Sequence, residues 1–302
     1  MKLPVPHTSP GMADRSSAVM NNIDGPDSIG AGAFRILPLQ QLPTIGFMDL
    51  WAYRELLYFL AWRDLKVRYH QTLLGILWAV LKPCSMMVVF SIFFGWLGRM
   101  PSDGIPYPLF VFSALLPWQL FAHTLSATSH SLVSNQHLIT KVYFPRLIIP
   151  ISAMAIGLVD FGIALFVLVA MLLYYHIPIL PQILTIPIFM LLSIATALGV
   201  WLWASALNIR HRDIGHAIPF VTQLWFFATP VAYPSSLIPA SWQAWYGINP
   251  LASVVEGFRW ALFGSGDGEG KMLVFSLLVS SILFISGVYF FRRTEQTFAD
   301  VA

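Results

Sequence analysis

Charge is scarce in this chain. Of its 302 residues only 10% are Asp, Glu, Lys or Arg, whereas 57% are apolar. An ordinary soluble domain carries about 25% charged residues, so the composition argues against that class and favours a membrane protein. The formal net charge is only +3. So small an excess gives no argument for a nucleic-acid partner, although the isoelectric point is basic.

Cysteine is nearly absent. Cys84 is the only one, which excludes an internal disulfide framework and a multi-cysteine metal site. His123, His130 and His137 recur every seven residues, but on one helix neighbouring members would lie about 10 Å apart, too far for one ion. We therefore predict no metal and no cofactor bound by this chain.

A nucleotide-binding loop and a signal peptide are also missing. The string GSGDGEGKM (264–272) lacks the required Gly six residues before Lys271 and the Ser or Thr after it. We therefore predict that the chain is not an ATPase or any other enzyme. Residues 1–45 contain ten Pro or Gly and no apolar run that could be a signal-peptide core. They are predicted to be a disordered cytoplasmic tail.

Long apolar runs are what the sequence has in abundance. Each is about 20 residues or longer, enough to cross a bilayer, and each predicts a helix because backbone groups in hydrocarbon must bond within the segment. The six predicted spans are about 75–97, 107–127, 147–175, 183–207, 214–233 and 272–291. The sequence predicts an all-α integral membrane protein, with a transmembrane domain at 73–294 and a cytoplasmic tail at 295–302.

A charged stretch precedes the first span. Residues 46–72 are predicted to form an interfacial helix, since the apolar run 56–62 is too short to cross, although its charges do not segregate cleanly on a helical wheel. Nine Lys or Arg residues near the span ends lie on the side of the N-terminus and three on the other. The nine are Arg63, Lys66, Arg68, Lys141, Arg146, Arg210, Arg212, Arg292 and Arg293. This bias predicts six spans with both termini cytoplasmic.

The outer connection before the last span is unusual. Residues 234–271 contain SSLIPASWQAWYGINP, rich in aromatics and Pro, and the amphipathic LASVVEGFRWALF. Irregular backbone at membrane depth requires protein or a water-filled cavity around it, so this segment is predicted to fold back into the bundle as re-entrant helices. Glu256 and Arg259 are spaced i, i+3 and could pair on one face.

Two polar residues lie inside predicted spans. Asp160 is near the middle of span three, where an ionised carboxylate costs about 3 kcal/mol. It could lock two helices together or line a pathway; a proton relay is less favoured, because no other acid lies at that depth. Lys82 and Pro83 lie one-third of the way through span one, where a packing and hinge role is favoured over ligand binding.

Most of the aromatic residues are expected to be interface anchors or lipid-facing; those at the outer ends of spans two and five and in residues 241–246 are the exceptions. A sugar ring can stack its C–H face on an aromatic ring, while each buried hydroxyl without a partner costs a few kcal/mol, so a polysaccharide requires a lined passage. The residues predicted to line a translocation path are Trp118, Tyr233, Trp242, Trp245 and Tyr246, together with Asp160.

Five segments together resemble a known family. They are RDLKVRYHQTLLGILWAVLKP (63–83), NQHLITKVYFPRLIIP (135–150), RHRDIGHAIPFVTQ (210–223), TPVAYP with INPLASVVEGFRWALFG (229–234 and 248–264), and FRRTEQTFADVA (291–302). Over about residues 47–302 the chain resembles the membrane subunit of type-2 ABC exporters of lipid-linked polysaccharide, the O-antigen and teichoic-acid permeases. The long N-terminal tail and Lys82, where a neutral polar residue is expected, are departures.

The resemblance implies an assembly and two functional segments. It implies a homodimer with two copies of a separate ABC ATPase, which would bind ATP and Mg, and it implies that spans one and five of both copies line the path. The implied ATPase-coupling residues are Asn135, Lys141, Tyr143 and Arg146. The implied gate helix and inner interface comprise Arg63, Asp64, Lys66, Arg68, Arg210 and Asp213.

The predicted function is export of an O-antigen-like polysaccharide on an undecaprenyl-type lipid across the bacterial inner membrane. The alternative is a type-2 ABC exporter of a small hydrophobic drug or lipid, which shares the topology but has less need of aromatics at the outer helices. A membrane acyltransferase would need clustered His/Asp or Ser/His residues, and an ion channel would need repeated pore loops or rings of acids. Neither pattern occurs in the sequence.

Overall fold

The computed structural model describes residues 51–70, 75–141, 144–208, 213–239, 242, 245–264 and 270–295. Within these residues the regular structure is entirely helical, without a strand. The α-helices are α1 (Arg54–His70), α2 (Leu77–Phe90), α3 (Tyr107–Ser134), α4 (Gln136–Lys141), α5 (Ile148–Tyr174), α6 (Ile186–Asn208), α7 (Ile214–Ala228), α8 (Pro250–Phe263) and α9 (Gly270–Glu295). The all-α membrane fold class is confirmed.

Three short helical segments complete these elements. A π-helix, Ser91–Leu97, continues α2, and a 3-10 turn, Pro181–Thr185, leads into α6. A second 3-10 turn, Ser235–Leu237, follows α7. Pro83 lies inside α2, buried against the bundle.

Five helical segments are long and apolar enough to cross a membrane: Leu77–Leu97, Tyr107–Ser131, Ile148–Tyr174, Pro181–Leu207 and Met272–Phe291. The fifth predicted span, 214–233, is different. Its helix α7 has 15 residues and ends at Ala228, because Thr229 is extended (φ −103°, ψ 139°). At 1.5 Å per residue α7 is about 22 Å long, shorter than the hydrocarbon core. The count of six spans stays a prediction.

Helix α3 forms the centre of the bundle. In its most apolar stretch 78% of the residues are buried, against 17% in Leu77–Leu97. Phe112, Leu116 and Leu120 belong to one apolar core with α5, α6 and α8, and Phe110, Trp118 and Phe121 belong to a second core with α6, α7 and α9. A helix that is apolar all round can be buried on every side.

Helix α8 is inserted into the bundle without crossing it. Pro250 begins the helix, Asn249 caps it, and Gly264 ends it with φ +65°, a conformation that favours glycine. Fourteen residues give a length of about 21 Å. Its start contacts the end of α7, and a Cβ at Gly264 would lie 2.9 Å from Leu180, just before α6. Both ends of α8 therefore lie at one end of the bundle.

The bundle has two distinct ends. Ser236 Oγ donates to Asp103 Oδ1 at 3.1 Å, and Tyr107 Oη donates to the Ala232 carbonyl at 2.8 Å, so the loops after α2 and α7 meet. We call this the α8 end. Helix α3 then extends about 42 Å to Ser134. Helices α1 and α4 lie at this opposite end of the bundle, which we call the α1 end.

Candidate functional site

The last turn of α1 is bound to the middle of α5. Arg68 Nη2 donates to Asp160 Oδ2 at 2.6 Å, and Tyr69 Oη donates to Asp160 Oδ1 at 2.5 Å. Asp160 lies about 18 Å along α5 from Ile148. A carboxylate at that depth is stabilised by a charge-assisted bond and by a hydroxyl donor. The structure thus joins two helices through the only acid of α5.

The Tyr69 hydroxyl is a permanent donor in this arrangement. Desolvation by burial is the main effect that raises the pKa of Tyr69, and the hydrogen bond to Asp160 raises this pKa further. The hydroxyl therefore keeps its proton at neutral pH and donates a hydrogen bond to the Asp160 carboxylate.

Arg68 also contacts α3. Its Nη1 lies 3.2 Å from His123 Nε2. A guanidinium only donates, so Nε2 accepts and the imidazole proton is on Nδ1. This Nδ1 is buried and has no hydrogen-bond partner among the described residues. A Cβ at residue 157 would lie 2.8 Å from it, so α3 and α5 approach here because Gly157 has no side chain. We call Arg68, Tyr69, His123 and Asp160 the Asp160 cluster.

A second polar contact joins α1 to the corner between α3 and α4. Arg63 Nη2 donates to Asn135 Oδ1 at 3.0 Å, and Arg63 also pairs with its neighbour Asp64 at 2.8 Å. The Asn135 amide donates to the Ser131 carbonyl at 2.9 Å, which orients its oxygen toward Arg63. Arg63 and Arg68 therefore attach α1 to two different parts of the bundle, at points about 7.5 Å apart along the helix axis.

Apolar packing supports these polar contacts. Leu60 is the buried residue of α1 and packs with Phe144, Ile148 and Ile149 at the start of α5. Much of the rest of α1 is exposed, including the aromatic residues Tyr58, Phe59 and Trp62, and so is Trp51 just before the helix. Exposed aromatics on a helix that also carries cations are typical of a helix at a membrane interface.

The other residues predicted at the inner side lie on the surface or outside the described residues. Lys141 is exposed at the end of α4, Arg146 is half-buried before α5, and Lys66 is exposed on α1. Asp213 is exposed before α7. Tyr143 and Arg210 lie outside the described residues. The contact of Arg63 with Asn135 joins one predicted group to the other. The roles assigned to these residues stay predictions.

At the α8 end, Asn249 connects α7 to α8. Its Oδ1 accepts from Leu251 N at 3.1 Å and from Trp225 Nε1 at 2.8 Å. Its Nδ2 donates to the Ala228 carbonyl and to Thr229 Oγ1, both at 3.1 Å. One amide thereby caps α8 and satisfies groups at the end of α7.

The buried Arg259 fixes α8 against α3 and the loop after α7. Its Nη1 donates to Glu256 Oε1 at 2.9 Å, which confirms the i, i+3 pairing, and its Nη2 donates to the Val231 carbonyl at 3.1 Å. The guanidinium carbon lies 3.6 Å from the centre of the Phe110 ring, a cation–π distance. Three separate segments therefore converge on one side chain.

The aromatic residues predicted to line a path fall into three environments. Trp242 and Trp245 are exposed, at 65% and 67%. Tyr233 and Tyr246 join their hydroxyls at 2.6 Å, and Tyr246 donates to the Ala228 carbonyl at 2.9 Å. Desolvation first, and the bond with Tyr233 second, raise the pKa of Tyr246, so it stays protonated. Trp118 lies in the core, where it packs on Phe121 and Phe226.

Helices α2 and α7 leave one apolar surface uncovered, which we call the α2–α7 face. The two helices touch through Phe90 and Phe226, whose ring centres are 5.6 Å apart. Its exposed apolar residues include Leu77, Trp78, Leu81, Val88, Phe93, Phe220, Val221, Leu224 and Phe227. Lys82, Ser85 and Gln223 are also exposed on these helices.

Sequence reasoning missed Tyr69, Gly157 and Asn249. It considered His123 only as a metal ligand, and the described residues contain no group of three or more His, Cys, Asp or Glu side chains that could hold a metal ion. The spacing between Asp160 and Gly157, one helical turn, was a usable signal, because a small residue beside a polar residue in a span indicates close helix packing. Asn249 before Pro250 is likewise a helix-start pattern.

Comparison with known proteins gives concordant results. The model of the family described as ABC-2 type transporter matches residues 55–263. The chain is 29% identical over 255 residues to the O-antigen export system permease protein RfbA of Myxococcus xanthus, covering 83% of this chain and 97% of that one. It is 30% identical over 248 residues to the RfbA of Klebsiella pneumoniae (82% and 95%). It is 23% identical over 241 residues to the polysialic acid transport protein KpsM of Escherichia coli (78% and 91%).

Proposed function

Because the chain belongs to the ABC-2 type transporter family, we propose that it is the membrane-spanning permease subunit of an ATP-driven polysaccharide exporter. The observation that carries this proposal is the agreement between relatives. Proteins named for O-antigen export and for polysialic acid transport both align with this chain over more than nine-tenths of their own length. Their names share one class of cargo, a polysaccharide. The cargo proposed here is an O-antigen-like polymer on an undecaprenyl-type lipid.

The α2–α7 face supports a homodimer as the working unit. Only 17% of the most apolar stretch of Leu77–Leu97 is buried within the chain. A second copy that faces this surface would place α2 and α7 of both copies around a shared passage. Lys82 and Ser85 on α2 and Gln223 on α7 would then supply polar groups to a passage for sugar hydroxyls, which cannot be buried in lipid without partners.

The α1 end supports attachment of a separate ABC ATPase. Helix α4 has only six residues and ends at the exposed Lys141, so it projects a short cationic element beside α1. The contact of Arg63 with Asn135 would carry a displacement of α4 to α1. ATP and Mg would be bound by the ATPase and not by this chain, in keeping with the failed match of residues 264–272 to a phosphate-binding loop.

The location proposed is the bacterial inner membrane, with six crossings and both termini in the cytoplasm. The excess of Lys and Arg near α1 and α4 supports a cytoplasmic α1 end. The loops after α2 and α7 meet at the α8 end, which supports a sixth crossing made by the short α7 and the residues that follow it. That connectivity supports an even number of crossings.

The first test is the cargo. In a bacterium that lacks this chain, we expect surface polysaccharide to disappear and lipid-linked polymer to accumulate inside, because the polymer is still made but not moved. Extraction of lipid-linked glycans and labelling of the cell surface measure both pools. Normal surface polysaccharide together with lost export of a small hydrophobic compound would contradict polysaccharide export.

The second test is coupling to the ATPase. We expect Lys141→Glu to weaken copurification of the ATPase and to lower export, because it reverses the charge at the tip of α4. The control is Arg293→Glu, which reverses an exposed cation at the end of α9. If both variants retain the ATPase equally well, α4 is not the coupling element.

The third test concerns the exposed aromatics. We expect Trp242→Ala with Trp245→Ala to reduce export while leaving the fold and the ATPase attachment intact, since both side chains are largely exposed. The matched control is Tyr174→Ala, an exposed aromatic at the end of α5 and outside the 234–263 segment. Equal export by both variants would refute a path lined by Trp242 and Trp245.

A further inference from the structure

We infer that Asp160 is a positioning residue for transport, and that it links the coupling segment to the membrane helices through α1. This inference rests on the proposed function. The inference deepens the proposed function by assigning a role to the Asp160 cluster, which is separate from the aromatic segment and from the proposed ATPase contact at α4. The contacts form one continuous chain from Asn135 to Arg63, along α1 to Arg68, and from there to Asp160.

Helix α1 contacts the bundle at two points. Arg63 and Arg68 lie on the same helix, about 7.5 Å apart along its axis. One contacts the corner before α4 at 3.0 Å, and the other contacts Asp160 at 2.6 Å. A displacement of that corner therefore acts on α1 at Arg63, while the Asp160 cluster resists it at Arg68.

The Asp160 cluster connects α1 to two long helices. Arg68 contacts both α5, through Asp160, and α3, through His123. These two helices also pack together, with Gly157 beside His123. A movement of the last turn of α1 therefore changes its contacts with two long helices, α3 and α5, at the same depth, and not with a surface loop.

The contact between α1 and α5 is made by a charged pair and not by apolar side chains. The Arg68 and Asp160 side chains are 37% and 21% exposed, so the rest of this chain does not enclose the pair. If the only task were to bind α1 permanently, apolar side chains of similar size would serve at least as well, because desolvating a charge pair is unfavourable. A part-exposed pair with a hydroxyl donor instead gives a directional contact that can break and re-form.

The experiment uses the complete complex of this chain with its ATPase in lipid nanodiscs. One spin label is placed at the exposed position 66 of α1 by Lys66→Cys in a Cys84→Ala background. Its line shape reports how strongly α1 is immobilised. Export in cells and ATP hydrolysis by the complex are measured on the same variants: Asp160→Asn, Asp160→Glu, and the charge swap Arg68→Asp with Asp160→Arg.

We expect Asp160→Asn to mobilise the label and to lower export about tenfold, within the range of coupling between distant sites, while ATP hydrolysis stays close to that of the unchanged protein. Asp160→Glu and the charge swap should restore much of the export. The matched control is Arg54→Gln, since among the described residues Arg54 bonds to the Trp51 carbonyl and ring, within its own segment. It should resemble the unchanged protein in every measurement.

Two results would overturn the inference. One is a label and an export rate unaffected by Asp160→Asn. The other is a loss of export that merely follows a loss of assembled complex, with no restoration by the charge swap. If the unchanged complex itself exports no polysaccharide, the proposed function fails, whereas the mobility of the label still tests the attachment of α1.

Discussion

One arginine–carboxylate pair lies at the α8 end of this bundle and another joins α1 to the middle of α5, and the two pairs are built differently. Arg259 and Glu256 are three residues apart on α8, and Arg259 is only 3% exposed. Arg68 and Asp160 are 92 residues apart and join different helices, with exposures of 37% and 21%. The first pair arises from local helical spacing and is sealed by packing. The second exists only because α1 packs against α5.

The difference indicates which end of the molecule is fixed. At the α8 end, moving the buried Arg259 away leaves the part-buried Glu256 carboxylate, the Val231 carbonyl and the Phe110 ring without their partner, so the pair cannot open without loss of structure. At the α1 end the Arg68–Asp160 pair is not enclosed by the rest of the chain, and its arginine is 37% exposed against 3% for Arg259. We therefore regard the α8 end as a rigid frame and the α1 end as the movable part.

The largest effect is expected from Arg259→Met. This change leaves the part-buried Glu256 without its ion-pair partner and removes the contacts of the buried guanidinium with Val231 and Phe110. Removal of one member of a buried pair costs about 3 kcal/mol or more. We expect a strong loss of folded protein, measured by thermal unfolding in detergent and by expression level. The milder Glu256→Gln keeps an acceptor for Arg259 and should lose less. A stable Arg259→Met protein would show that the α8 end is not the rigid frame.

An intermediate effect is expected from Gly157→Ala at the α1 end. The added Cβ would lie 2.8 Å from His123 Nδ1, and overpacking of this kind costs about 1–3 kcal/mol. The matched control is Gly162→Ala on the same helix, where no atom lies within 4 Å of the new Cβ. The Gly162→Ala variant should be as stable as the unchanged protein. Equal stability of the two variants would mean that α3 and α5 separate easily at the Asp160 cluster.

The smallest effect is expected from Tyr233→Phe at the α8 end. The change removes one hydroxyl from the bond with Tyr246, while Tyr246 keeps its bond to the Ala228 carbonyl. We expect a loss of about 1 kcal/mol, the net worth of one hydrogen bond, seen as a small shift in thermal unfolding. A loss as large as that of Arg259→Met would make the tyrosine pair, and not Arg259, the main anchor of this end.

Much of the fold could be predicted from the sequence because membrane helices follow simple rules. Long apolar runs and the distribution of Lys and Arg require only local reasoning. Glu256–Arg259 was predicted for the same reason, since i, i+3 spacing places both residues on one side of a helix. The end of α7 at Ala228 was not predicted. An apolar run continues to Tyr233, and hydropathy does not register where the backbone becomes extended.

The sequence by itself determined the class of the protein, its apolar helices, the cationic segments and the resemblance to polysaccharide permeases. These properties depend on composition and on neighbours along the chain. Only the tertiary structure decided that Asp160 binds Arg68 and Tyr69, that Arg63 binds Asn135, and that Trp118 lies in the core. Partners 72 to 92 residues apart are set by how helices pack, and a sequence pattern with a period of a few residues carries no information on such distances.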